Sequence, residues 1–237
     1  MPARRLLVVG GSGYLGRHIV RAGLKQGLAV SSFSRTGRPH ASISTDGLEG
    51  AEWLTGSAES ASDVEKAVSG MYAVVSCLGT PFGTRESILR INGEANAAIA
   101  AAAASAGVER YVYVSAATFR PMEALFPDSW GVYFQGKRIA EAAVAEHFGE
   151  AGAVLKPGII YTESVAEART QAALGLKEAK MPSLVGMPLA TVLRTSPVQW
   201  AAGQIGPVGD LLAPPTCVAD VAAAAIAHVV GESANTL

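Results

Sequence analysis

The stretch Val8–Val20, VVGGSGYLGRHIV, decides how this chain is read. Its glycines fall into two frames: Gly11, Gly13 and Gly16 spell GxGxxG, whereas Gly10, Gly13 and Gly16 spell GxxGxxG. In either frame the glycines follow a short apolar run, Leu6 to Val9, and open a segment of helical periodicity, Tyr14 to Gln26. A strand, a glycine turn and a helix start form a cradle for a pyrophosphate. One glycine makes the tight turn, a second lets the backbone approach the phosphates, and a third lets the helix pack on the strand. The helix end contributes N–H groups and the positive end of its dipole. The stretch therefore predicts dinucleotide binding through Gly10, Gly11, Ser12, Gly13, Tyr14, Leu15 and Gly16.

The next strand, Leu28 to Ser34, selects the nucleotide. A chain that takes NAD usually ends this strand in a carboxylate that bonds the ribose 2′-hydroxyl. Here the end reads SSFSRTGR, with Ser34 and Arg35 in that place. A hydroxyl and a guanidinium bind the 2′-phosphate that a carboxylate would repel. Arg17, just after the third glycine, is expected to add a second positive contact. NADP(H) is favoured over NAD(H).

Strand-like and helix-like segments alternate beyond this point. Strands are expected at Ala51–Leu54, Tyr72–Leu78, Tyr111–Ser115 and Val154–Tyr161, and helices at Ala61–Val68, Ile88–Ala106 and Tyr133–His147. Nearly continuous apolar strands separated by helices imply an α/β fold, a doubly wound parallel sheet covered on both faces. After Tyr161 the rhythm breaks. Prolines 182, 188, 197, 207, 214 and 215 punctuate short apolar pieces before a last helix, Val218 to Val230. The expected organisation is a single nucleotide-binding domain over 1–237, with a small C-terminal, substrate-covering cap over 163–215.

Composition narrows the function. The 237 residues are 49% hydrophobic and 16% charged, with a formal net charge of −1. Such a chain buries a substantial core and lacks the basic field that nucleic-acid binding requires. Cys77 and Cys217, the two cysteines, lie far apart without histidine neighbours, so neither a metal site nor a disulfide framework is expected. No apolar run reaches the roughly 20 residues of a membrane-spanning helix. The start, MPARRLLVV, runs directly into a strand and reads as neither a signal nor a transit peptide.

Catalytic candidates cluster after the fifth strand. Ser115 ends that strand in YVYVSAATF, and Tyr133 and Lys137 follow in YFQGK. Residues four apart share a helix face, so phenol and ammonium converge. A phenol titrates near 10, and a neighbouring ammonium is expected to bring it towards neutral pH, where it can exchange a proton with substrate. Ser115, at the carboxyl end of a strand, is placed to hold the substrate oxygen.

Together, GGSGYLG, Ser115, YFQGK and LKPGIIY resemble the short-chain dehydrogenase/reductase superfamily. The frame Gly10, Gly13, Gly16 is the one used by its extended and atypical branches. The resemblance implies a Rossmann-type fold with Tyr133 as general acid/base. It makes Lys137 the residue that binds the nicotinamide ribose and tunes Tyr133, and Ser115 the one that positions substrate. Asn92, in RINGEAN, resembles the asparagine that supports the proton relay. Ser76 and Gly79 would line the adenosine side, and Pro157 and Gly158 would lie near the nicotinamide. SFSRTGRP, VVSCLGTPFG and RINGEAN are most similar to an atypical group. That group includes the Rossmann-fold accessory subunit of respiratory complex I, a short coenzyme-Q-biosynthesis protein and plastid relatives. The resemblance points to a mitochondrial or plastid location. It departs from the pattern at Gly56-Ser57, where many relatives carry an Asp that contacts adenine.

Two functions remain open at this level. One is an NADPH-dependent oxidoreductase acting on a small or isoprenoid- or quinone-like carbonyl, with the apolar Met181–Trp200 segment as its lid. The other is a non-catalytic NADPH-binding subunit of an organellar complex, in which that segment docks on a membrane surface or a partner protein. The nucleotide assignment is checked by Arg35→Asp, which is expected to weaken NADPH binding at least tenfold while leaving NADH binding within about twofold in parallel titrations. Equal losses for the two nucleotides would remove Arg35 from the site.

Overall fold

Four consecutive apolar residues, Leu6 to Val9, can be buried together in a strand covered on both sides. The computed structural model, which describes residues 3–162, 164, 183–204, 210 and 212–232, places them so. They lie in β1 (Arg5–Val9), with Leu6 and Val8 packed on one face and Leu7 and Val9 on the other. Around β1 run β2 (Ala29–Ser34), β3 (Glu52–Thr55), β4 (Ala73–Ser76), β5 (Arg110–Val114) and β6 (Gly152–Leu155). These six strands form one parallel sheet in the order β3-β2-β1-β4-β5-β6.

Helices cover both faces. On one side α1 (Tyr14–Lys25) and α9 (Val218–Val230) bury Ile19, Val20, Val221 and Ile226 against Leu6, Val8 and Val75. On the other, α2 (Ala61–Val68), α4 (Ala95–Ser105) and α6 (Val132–Phe148) bury Val64, Ile99, Ala140 and Val144 against Leu7, Val9 and Val74. The strand order reverses between β1 and β4. A crevice opens beyond their carboxyl ends, where open α/β sheets take their ligands.

Three segments depart from the sequence reading. The expected strand Val154–Tyr161 is two strands: β6 ends at Leu155, and Ile160–Tyr161 forms β7, paired in parallel with β8 (Thr216–Cys217) in a separate two-stranded sheet. Pro157 has no N–H to continue a ladder. Gly158 passes so close to Pro214 that a Cβ there would lie 2.8 Å from its carbonyl oxygen. The expected helix Ile88–Ala106 is instead α3 (Arg85–Leu89), a π-helical turn at Arg90–Glu94 and α4. In the proline-punctuated region, α7 (Ser183–Leu193) contains Pro188, and α8 (Ser196–Gln204) follows. A short helix, α5 (Arg120–Leu125), and a second π-helical turn, Pro127–Gly131, precede α6. Much of the expected cap, including 165–182 and 205–209, lies outside the described residues.

The π turn and α6 meet through glycine. A Cβ on Gly136 would lie 2.9 Å from the Asn92 Cβ and 3.2 Å from the Gly93 nitrogen. This close approach packs the turn that carries Asn92 against the stretch of α6 that carries Lys137. Gly136→Ala is therefore expected to cost about 1–3 kcal/mol in urea unfolding. Gly203→Ala, in exposed α8 with nothing within 4 Å, is expected to be neutral or stabilising.

Candidate functional site

A cavity of about 940 Å³ occupies the crevice. Its floor is the loop between β1 and α1. Gly10 has φ +80°, a backbone that other residues rarely adopt, and its amide donates to Phe33 O at 2.8 Å. Gly13 is the N-cap of α1 and brings no side-chain cap, whereas Ser60 and Thr84 cap α2 and α3 with their hydroxyls. The opening turn of α1 is thus left to an anion, a preference the helix dipole reinforces. At Gly16 a Cβ would fall 2.2 Å from Gly10 O, so the chain can cross itself only with glycine there. These three positions match the frame Gly10, Gly13, Gly16. Gly11 faces away, against Ser32, whose Oγ a Cβ would meet at 2.3 Å. Ser12, Tyr14 and Leu15 line the cavity with the three glycines.

At the end of β2, Ser34 and Arg35 both border the cavity. The Ser34 hydroxyl donates to Gly37 O at 3.0 Å and holds the turn, while Arg35 is exposed at the rim. Arg17 lies elsewhere than expected. It is 2% exposed, does not line the cavity, and donates from Nη1 to Ser12 O at 3.2 Å. Its charge supports the glycine loop from beneath.

The end of β4 is wired by amides. Ser76 is fully buried and donates to Asn96 Oδ1 at 2.6 Å, and Asn96 Nδ2 reaches Leu78 O and Ile91 O. Asn92, inside the π turn, exchanges bonds with Thr80: Thr80 N donates to its Oδ1 at 3.1 Å, and its Nδ2 donates to Thr80 O at 2.7 Å. Neither Ser76 nor Asn92 lines the cavity; both shape the loop that does. Gly79 in that loop leaves room for Lys137, since a Cβ there would lie 3.1 Å from Nζ. Asn96, to which the sequence alone attaches no role, is the second asparagine of RINGEAN, one helical turn after the first.

Tyr133, Lys137 and Ser115 share one wall of the cavity, with Pro157 and Gly158 beside them. Lys137 is buried and donates to Val114 O at 3.0 Å, with Nζ 4.9 Å from the Tyr113 ring centre and 5.6 Å from that of Tyr133. Burial pulls its pKa down to about 8, against the attraction of Cys77 and Glu141. Burial also pushes Tyr133 up to about 12. The expected lowering of Tyr133 by the ammonium is not found: desolvation of the phenol sets the direction of its shift. Ser115 connects this wall to two further charged residues, neither of which lines the cavity. Ser115 donates its hydroxyl hydrogen to Glu141 on α6, whose other oxygen accepts from Lys156 Nζ at 2.6 Å.

Part of the cavity lining is apolar. Trp130 packs edge-on against Tyr133 at 5.6 Å, and Phe119, Met122, Phe134 and Ile159 continue the surface. At its edge Arg120 clasps Asp210 with both Nε and Nη2 at 2.8 Å, and its guanidinium holds the Asp210 carboxyl below the ordinary range. Asp210 lines the cavity, so this pair ties the segment before α9 to the loop after β5.

Residues 10–180 match the family model described as NAD(P)H-binding. The chain is 33% identical over 231 residues to an uncharacterized chloroplastic protein of Arabidopsis thaliana, covering 94% of this chain and 71% of that one. Among solved structures, a putative epimerase from Burkholderia cenocepacia aligns with 99% of this chain and 74% of its own, at 18% identity and TM-score 0.64. A short-chain dehydrogenase/reductase superfamily protein from Agrobacterium tumefaciens with bound NAD aligns with 68% of this chain and 51% of its own, at 26% identity and TM-score 0.50.

The buried ammonium has a pH signature. Lys137 is lowered in the folded chain from its ordinary 10.5 to about 8, so between those values the unfolded chain holds a proton that the folded chain has lost. Stability should therefore rise as pH increases from about 8 to 10, by at most about 3 kcal/mol. Lys137→Met is expected to flatten this rise in denaturant melts of the protein without nucleotide.

Proposed function

The chain belongs to the NAD(P)H-binding family, within the short-chain dehydrogenase/reductase superfamily, and on that premise we propose that it is an NADPH-dependent oxidoreductase acting on an apolar carbonyl compound. The observation that carries this reading is the shared wall of Tyr133, Lys137 and Ser115, set between the glycine loop and the aromatic half of one cavity. The cradle fits a dinucleotide: the uncapped start of α1, the positive-φ Gly10 and the crossing at Gly16 leave backbone where a pyrophosphate binds. The exposed Arg35, with no carboxylate at the end of β2, supports NADPH over NADH.

When bound, the reduced nicotinamide supplies a hydride to the carbonyl carbon. The chain's own residues do the rest. Tyr133 delivers its phenolic proton to the developing alkoxide and is reprotonated from solvent after the product has left. Lys137, fixed by Val114 O, places positive charge beside the phenolate that remains, so the proton transfer becomes cheaper only as charge develops. Trp130, Phe119 and Met122 offer an isoprenoid- or quinone-like substrate an apolar surface and keep water from the reacting atoms. At the edge of the cavity Asp210 of the C-terminal segment is held by Arg120. The chloroplastic relative supports a plastid location.

A second reading is that the protein binds NADPH without turning it over, as a subunit of an organellar membrane complex. The observation in its favour is the Tyr133 phenol, which burial moves away from neutral pH. The two readings part at one residue. Under the first, Tyr133→Phe lowers carbonyl-dependent NADPH oxidation by about 10²–10⁴-fold while the NADPH dissociation constant stays within threefold. Under the second, the wild type oxidises NADPH with no member of a quinone and aldehyde panel, yet NADPH raises its melting temperature.

A further inference from the structure

Ser115 has one hydroxyl hydrogen, and the structure shows where it goes. The residue follows the end of β5 with its amide bonded to Leu155 O at 2.8 Å, and it is 5% exposed at the cavity wall. Its Oγ donates to Glu141 Oε1. An ionised carboxylate has no hydrogen to return, so the direction of this bond is set by chemistry. The second oxygen of Glu141 is taken by the Lys156 ammonium at 2.6 Å. Glu141 follows Lys137 by four residues and Tyr133 by eight, so all three stand on one face of α6. With its hydrogen committed to Glu141, Ser115 offers only lone pairs to the cavity.

A group that only accepts must be met by a donor. An alcohol O–H supplies one, whereas a ketone oxygen has lone pairs alone and must take its hydrogen bond from Tyr133. We propose that Glu141 is a positioning residue that sets the hydrogen-bond polarity of Ser115, so that the site seats the alcohol of a substrate pair in preference to the ketone. The proposal rests on the oxidoreductase reading and deepens it. Tyr133 is the donor to the carbonyl, and Ser115 receives the O–H that forms when the phenolic proton reaches the oxygen.

The carboxylate can be neutralised without changing its size. In Glu141→Gln, Lys156 can only donate, so it takes the amide oxygen and turns the NH2 towards Ser115. Ser115 then accepts from the amide and points its own hydrogen into the cavity, which reverses the preference. In Glu141→Gln with Lys156→Met, nothing holds the amide oxygen outward, and it can turn back to accept from Ser115.

The test measures binding by calorimetry in complexes that cannot react: acetophenone with NADP⁺ and 1-phenylethanol with NADPH. Both probes are small, neutral and aromatic, like the Trp130 surface they meet. The wild type is expected to bind the alcohol more tightly than the ketone. E141Q should shift the ratio of their dissociation constants about tenfold towards the ketone, and the double variant should restore it. Ser115→Ala, which leaves Glu141 and Lys156 paired, should weaken the alcohol more than the ketone. A ratio that E141Q leaves within twofold, or equal losses for both probes in S115A, overturns the polarity proposal while the oxidoreductase reading stands. If NADPH binds but neither probe binds the wild-type complex, the oxidoreductase reading falls, and the polarity proposal falls with it.

Discussion

The main chain crosses itself where Gly16 lies against the carbonyl of Gly10, and the rest of the cleft is arranged around that crossing. A methyl group at Gly16 would sit 2.2 Å from Gly10 O, inside any permitted contact. With glycine there, α1 starts directly above the end of β1, and its first turn faces the crevice. Arg17 then lies buried under the loop and bonds its backbone at Ser12, so the cradle is supported from below. Across the switch in strand order, Cys77 donates from Sγ to Val9 O at 3.0 Å and joins the β4 end to the same floor. The crossover from β1 through α1 to the parallel β2 uses this tight start to pack back on the sheet.

The remaining walls are held by buried polar groups. An unpaired polar atom in such a place is costly, and a paired one has little freedom to move. Ser76 with Asn96 holds the β4 end, Asn92 with Thr80 holds the following loop, and Lys137 with Val114 O holds the β5 end. Glu141 ties Ser115 to Lys156 and so joins the ends of β5 and β6 through α6. The apolar part of the cavity lining is faced by Trp130, Phe119 and Met122. The division into a polar, rigid end and an apolar end is the property that the proposed reaction uses.

Much of this architecture is legible in the order of residues along the chain. Apolar strands in alternation with helices identify the parallel sheet, because only such a sheet buries both faces of Leu6–Val9 or Ala73–Ser76. Ile159-Ile160-Tyr161 misleads, because β-branched and aromatic residues look alike whether they extend the main sheet or form the separate β7–β8 pair. The π turn at Arg90–Glu94 is hidden because it runs without a break between the helices on either side. Arg17 suggests a phosphate contact because it follows the glycines, yet distance along the chain does not say which side of a helix is covered.

Local chemistry thus determined the glycine cradle, the arginine at the end of β2, and the Tyr133–Lys137 pair on one helix face. Each of these depends on spacings within a few residues along one strand, turn or helix. The tertiary structure alone decided what each side chain meets across the sheet. It placed Glu141 on Ser115, Asn96 on Ser76 and Asp210 on Arg120, pairs separated by 26, 20 and 90 residues. It also decided the surroundings of Tyr133, where burial raises the phenol. Desolvation and long-range hydrogen bonds depend on where chain segments come to rest, and no spacing within one segment encodes that.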